Sequence, residues 1–293
     1  MRSMLFVPAD SEKKLGKGLE SGADALILDL EDSVAAANKV AARQTARTFL
    51  EAHVDALLPA AGRPLFMVRV NALDTGLTDD DLKAVVGARP DAIMLPKAES
   101  GADVTHLDAK LTALEALAGL PEGHVKIVVV ATETARAVFN LGTYQGASPR
   151  LSGLTWGAED LSADIGSETN RASDGRHTEP FRIARSLCLF GAVAAGVQPI
   201  DTVFPAFRDS EGLHRECEEA RRDGFTGKMA IHPAQVPVIN AVFTPSAEAV
   251  AEARRVIDAF AANPSAGVVN IGGEMFDRPH LTRAERLIAR LGR

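Results

Sequence analysis

Eight short apolar runs recur along the chain, at residues 3–7, 25–29, 65–70, 92–95, 127–131, 153–156, 199–203 and 228–231, each rich in Val, Ile, Leu and Met. Several are apolar almost throughout, the pattern of parallel strands covered on both faces. Between most of them lie Ala/Leu/Arg stretches with helical spacing, at 12–19, 40–50, 79–86, 103–117, 133–141, 180–195 and 211–223. Eight strands alternating with helices predict a closed TIM (β/α)8 barrel. Periodicity alone also admits an open doubly wound sheet, but the strand count closes the ring.

Helical spacing resumes at 235–241 and again at 246–262, where Ser246 is placed to cap and Glu248 sits in the first turn. Residues 263–273, rich in Gly, Ala, Ser and Asn, read as a loop before a final helix at 281–291. The expected division is a barrel over residues 1–245 and a C-terminal helical extension over residues 246–293. That extension exceeds a minimal barrel, so it is expected to cover an active site, its own or a neighbour's.

A chain of 293 residues can bury a large core. The formal charge of -7 comes without acidic or basic blocks, which argues against a nucleic-acid partner. The two cysteines, Cys188 and Cys217, lie far apart in predicted helices, as suits buried thiols in a reducing compartment. The N-terminal apolar stretch is too short for a signal peptide, and no run approaches the ~20 residues of a membrane span. A cytoplasmic protein with no membrane partner is expected. No GxGxxG stands between a strand and a helix, so a dinucleotide has no support.

In a barrel the substrate meets the C-terminal strand ends. Those ends carry Asp29, Glu31 and Asp32 after the second strand, Arg69 and Asn71 on the third, Lys97 and Glu99 after the fourth, Glu133 after the fifth, and Glu159 and Asp160 after the sixth. Oxygen donors without a His or Cys cluster point to a hard cation, Mg²⁺, held by Glu133 and Asp160. Glu133 could instead cap the helix that follows it. The crowded Asp29, Glu31 and Asp32 repel unless neutralised. They could order water around the ion or pair with Lys39 or Arg43.

Arg69 offers a two-pronged grip on a substrate carboxylate, or an internal salt bridge to a strand-end acid. Lys97 suits a hydrogen-bonding or electrostatic role better than a Schiff base, since the metal supplies the electron sink. His232 could touch ligand or sit as a satisfied cap. Trp156, the only tryptophan, is expected in the core.

Taken together, SMLFVPA, GADALILDLEDSV, FMVRVN, DAIMLPKAE, the Thr-Glu-Thr at 132–134, WGAEDLSADIG, GFTGKMAIHPAQV and GEMFDRPH run almost end to end. Their combination resembles the HpcH/HpaI-like aldolases, the citrate lyase beta subunit and malyl-CoA lyase family. The resemblance implies a barrel that binds Mg²⁺ through Glu133 and Asp160 and grips an acid with Arg69; Asn71 and Lys97, as polar residues at the same strand ends, are further candidates for binding substrate. It implies a coenzyme A thioester as substrate, a 2-oxoacid as co-product, and a homotrimer or homohexamer whose C-terminal segment closes over a site. Asp277, in MFDRPH, matches the lid carboxylate that moves a proton; its residue types alone suggest a helix cap or a partner of Arg278.

The activity so implied is a lyase that cleaves or forms a short beta-hydroxyacyl-CoA such as malyl-CoA or citramalyl-CoA. The alternatives are a malyl-CoA thioesterase and a non-catalytic citrate lyase beta-like subunit. Lys13, Lys14, Lys17 and Lys39 are candidates for the coenzyme A phosphates. Ala9 and Phe276 depart from family-typical glycine and aliphatic residues without touching a proposed catalytic group.

Overall fold

The computed structural model describes residues 1–54 and 63–291. Strands β1 (Ser3–Pro8), β2 (Ala25–Asp29), β3 (Leu65–Arg69), β4 (Ala92–Leu95), β5 (Lys126–Val130), β6 (Leu151–Thr155), β7 (Gln198–Asp201) and β8 (Gly227–Ala230) pair in parallel in chain order. β8 returns to β1 and closes the expected eight-stranded barrel. The surrounding helices are α1 (Glu12–Leu19), α2 (Lys39–His53), α3 (Thr78–Val85), α4 (Gly101–Leu117), α5 (Ala135–Phe139), α6 (Glu159–Asp164), α7 (Glu179–Ala195), α8 (Ser210–Asp223) and α9 (Val236–Phe243).

Closure depends on Gly227. A Cβ there would lie 2.5 Å from the Met1 carbonyl oxygen and 2.8 Å from that of Arg2, so any side chain would push β8 off β1.

Strand alternation fills the interior with Met4, Ala25, Ile27, Met67, Met94, Val128, Val130 and Met229, all buried in one cluster. Continuing by two residues along β2 and β3 brings Asp29 and Arg69, cross-strand partners in register, onto the same face. The apolar filling of the ring therefore ends in a polar layer at the C-terminal mouth.

The opposite alternation sends Asp201 and Lys228 outward beneath the helices. Lys228, fully buried, donates to Asp201 (2.8 Å) and to Glu216 of α8 (2.8 Å). Trp156 is buried as expected, and its indole N–H donates to Asp201 at 2.7 Å. Cys188 and Cys217 are buried free thiols.

Two compact units divide the chain, Met1–Ala241 and Val242–Arg293. The second contains α10 (Ala247–Ala262), β9 (Val268–Ile271), β10 (Glu274–Asp277) and α11 (Arg278–Ala289), around a core of Ala253, Val256, Phe260, Val269 and Ala284. The loop expected at 263–273 is in part strand: β9 and β10 form an antiparallel hairpin. Gly272 and Gly273, at φ 62° and 94°, make its turn, and that left-handed pair carried the hairpin signal. Among the described residues no helix is long and apolar enough to cross a membrane.

Candidate active site

Five strand ends, those of β2 to β6, converge on the barrel mouth. Asp29 is buried and accepts from Arg69 Nε at 2.7 Å and Nη2 at 2.6 Å, while the backbone N–H groups of Glu31 and Ser33 bind its two oxygens. Burial works to raise the Asp29 pKa, but these donors outweigh it and hold the carboxyl below its ordinary range. Arg69 thus forms the internal salt bridge that its position allowed. Its third nitrogen, Nη1, lies 2.9 Å from Glu31 Oε2, yet that buried oxygen has no aligned hydrogen bond. The guanidinium also stacks over Phe6, 4.7 Å from the ring centre.

Lys97 ties the acids to one another. Its Nζ donates to Glu31 Oε1 (2.5 Å) and Asp32 Oδ2 (3.2 Å) and lies 3.3 Å from Asp160 Oδ1. Its backbone N–H donates to Glu133 Oε2 at 2.5 Å. Partial burial opposes the ammonium, but Glu31, Asp160 and Glu133 prevail and raise its pKa above the ordinary lysine value.

Glu133 is buried and does not cap α5; Thr134 does, accepting from the Ala137 N–H at 3.1 Å. Released from that task, the Glu133 side chain turns to the mouth. Burial raises its carboxyl to about 8, helped by Asp160 and Glu31 and opposed by the Lys97 N–H. Asp160 stands in the first turn of α6 and is about one-third exposed. Glu31 is raised too, by burial first.

Gly157 is a site residue that strand-end counting missed. A Cβ at this position would lie 2.7 Å from Glu133 Cγ, so the glycine makes the space into which Glu133 folds. The only sequence signal was a glycine directly after the sixth apolar run. Gly157→Ala is expected to displace Glu133 and weaken divalent-cation affinity by about 10–100-fold, a magnitude typical of lost support around a ligand. Isothermal titration calorimetry reads it directly, and wild-type affinity would mean that Glu133 has room to step aside.

Other candidates take supporting places. Asn71 is buried, donating to Leu30 O (3.1 Å) and Asp81 Oδ2 (2.6 Å) and accepting from Lys39 Nζ (2.7 Å). Lys39 also donates to the carbonyls of Leu30 and Glu31, so its ammonium braces the acidic loop from behind. Asp81, fully buried and bonded by Arg43 Nε at 2.6 Å, completes this brace. Nothing in the sequence distinguishes it from Asp79 and Asp80, its neighbours in the first turn of α3.

Glu99 pairs with Arg136 and Glu159 accepts from Asn170, so neither joins the central group. His232 accepts from the Ala234 N–H and stacks on Phe207, the satisfied-cap arrangement. Lys13, Lys14 and Lys17 are exposed on α1. Within the second unit Asp277 caps α11, and His280, rather than Arg278, contacts its carboxylate and holds the pKa below the usual range.

The mouth therefore sets five carboxylates, Asp29, Glu31, Asp32, Glu133 and Asp160, against two cations, Arg69 and Lys97. Excess negative charge and oxygen-only donors fit a hard divalent cation. Among the described residues no three His, Cys, Asp or Glu side chains form a ready-made metal cage. An ion here would take two carboxylates and complete its shell with water or substrate oxygens, as Mg²⁺ does.

Comparison with known proteins agrees with this architecture. Residues 2–233 match the HpcH/HpaI aldolase/citrate lyase family, and the chain belongs to it. The (3S)-malyl-CoA thioesterase of Cereibacter sphaeroides strain KD131 is 37% identical over 296 residues, covering 99% of this chain and 94% of that protein. The citrate lyase subunit beta of Leuconostoc mesenteroides subsp. cremoris is 36% identical over 289 residues, covering 98% and 92%. The crystal structure of protein CitE from Mycobacterium tuberculosis in complex with magnesium, acetoacetate and coenzyme A superposes with a TM-score of 0.76 at 36% identity, covering 100% of this chain and 98% of that one.

Proposed function

We propose that this protein is a Mg²⁺-dependent enzyme acting on a short 2-hydroxydicarboxylic coenzyme A thioester, with hydrolysis of malyl-CoA to malate and coenzyme A as the leading reading. The observation that carries the proposal is the carboxylate-rich mouth, whose donor set suits one hard divalent ion beside an arginine. End-to-end similarity to a (3S)-malyl-CoA thioesterase supports hydrolysis. The magnesium and coenzyme A bound by the related CitE support the cation and the thioester.

When bound, Mg²⁺ would stabilise negative charge developing on substrate oxygens. Glu133 and Asp160 hold it, and Lys97 and Gly157 set where Glu133 points. Arg69 presents the Nη1 edge, whose partner Glu31 Oε2 is unaligned, to the substrate carboxylate, while the Asp29 pair fixes its orientation. In hydrolysis a water oxygen bonds to the thioester carbon, the C–S bond breaks, and the coenzyme A thiolate leaves and takes up a proton.

The second reading, cleavage of the substrate's carbon–carbon bond into an acyl-CoA and a 2-oxoacid, is favoured by the aldolase/citrate lyase family match. Cleavage needs a group to protonate the thioester enolate carbon, and for that role we propose Asp277, because its MFDRPH segment resembles the family's lid. Asp277→Asn is expected to lower kcat by on the order of 10²-fold or more while leaving the Mg²⁺ dissociation constant unchanged. A full turnover rate in the variant removes Asp277 from proton transfer.

The deciding experiment incubates the protein with (3S)-malyl-CoA and Mg²⁺ and identifies both products. Malate with free coenzyme A supports hydrolysis; glyoxylate with acetyl-CoA supports cleavage. No turnover of malyl-, citramalyl- or citryl-CoA would leave the non-catalytic subunit reading in its place. We also propose a cytoplasmic homotrimer or homohexamer, the assembly that the family resemblance implies. The exposed apolar residues Ile183, Leu187, Phe190 and Val193 of α7 support self-association, which sedimentation checks.

A further inference from the structure

Lys97 adopts φ 50°, a left-handed conformation that only one other non-glycine residue, Arg89, shares among the described residues. Glycine is the default there, because a Cβ is disfavoured in this region. A residue held so persists only where its surroundings over-determine it. Here the surroundings are the acids: the backbone N–H is on Glu133, and the ammonium contacts Glu31, Asp32 and Asp160. One residue thus spans four carboxylates from three connections of the barrel.

We propose that the Lys97 ammonium is a built-in counter-cation that holds the mouth carboxylates together in the metal-free protein, and that an arriving divalent ion displaces it. The proposal rests on the reading of the mouth as a Mg²⁺ site. Two further features favour displacement. The Lys97 side chain is 31% exposed, so its ammonium has a path to water when Asp160 and Glu133 turn to an ion. Glu31 Oε2, 2.9 Å from Arg69 Nη1 but without an aligned hydrogen bond, has acceptor capacity left for a metal-bound water. An ordinary surface ion pair, by contrast, contributes little and affects nothing around it.

The test compares wild type with Lys97→Met, which removes the charge and keeps the strained backbone, and Lys97→Gly, which removes the charge and relieves the backbone. Magnesium alone is titrated at low salt by calorimetry, and thermal midpoints are measured in EDTA and in saturating Mg²⁺. Both variants should bind Mg²⁺ roughly tenfold more tightly, since a competing positive charge has gone. High salt should shrink that difference.

In EDTA, Lys97→Met should melt below wild type and Lys97→Gly should fall less, with saturating Mg²⁺ closing both gaps. Unchanged or weaker Mg²⁺ affinity in both variants overturns the proposal, as does an EDTA midpoint for Lys97→Met at or above wild type. Wild type that takes up no Mg²⁺ overturns the metal reading and the displacement step with it. Binding with an affinity that the variants share overturns the lysine's role alone.

Discussion

Glu133→Gln is expected to abolish measurable Mg²⁺ binding and to lower kcat/KM by on the order of 10³-fold, the scale of losing a group that stabilises charge in the transition state. The fold should barely notice. The buried carboxyl is already raised to about 8, so the metal-free protein accommodates its neutral form near neutral pH, and an amide of the same shape retains an oxygen for the Lys97 N–H. Loss of metal and activity with an unchanged melting temperature in EDTA is therefore the expected combination. Retained Mg²⁺ affinity would remove Glu133 from the ligand set and leave the acids of the second strand, Glu31 and Asp32, to be tested in its place.

The largest expected effect on stability lies on the outer face of the barrel. Lys228→Met strands Asp201 and Glu216 without their buried ammonium, and breaking such a pair from one side costs about 3–5 kcal/mol. The melting temperature should drop by roughly 10 °C. The effect has a defined pH dependence. Burial works to raise Asp201, but Lys228 and Arg185 outweigh it and lower its pKa; burial works to lower Lys228, but Asp201 and Glu216 outweigh it and raise its pKa.

A depressed carboxylate contributes stability above its unfolded pKa of about 3.9, lost as pH falls through the lower folded value. A raised lysine contributes below about 10.4, lost as pH rises through the higher folded value. Wild type and variant should thus differ by a near-constant amount from about pH 5 to 8, the gap narrowing only as pH falls below the unfolded carboxylate value, as melting curves from pH 2 to 8 would show. A pH-independent gap would mean that packing of the lysine stem, not its charge, carries the loss.

The ring was legible because eight apolar runs each had the length of a strand and a helix to follow. Asp29 and Arg69 were legible as neighbours of the mouth because period-two alternation carries directly from the interior methionines to them. Gly157 was not, since nothing local distinguishes a glycine that frees a loop from one that admits a neighbouring side chain. Lys228 was hidden for a related reason: a lysine in a short strand reads as exposed unless the partners of Asp201 and Glu216 are known.

The sequence by itself determined the strand count, the parallel closure and the gathering of acids at one end, because period and strand direction are properties of short segments. Only the tertiary structure decided how each charge is engaged. Asp29 takes the guanidinium of Arg69, Lys39 and Asp81 brace Asn71, Glu133 leaves its helix to Thr134, and one lysine in a left-handed turn joins four carboxylates. Those assignments follow from electrostatics and packing between residues far apart in the chain, for which local periodicity carries no information.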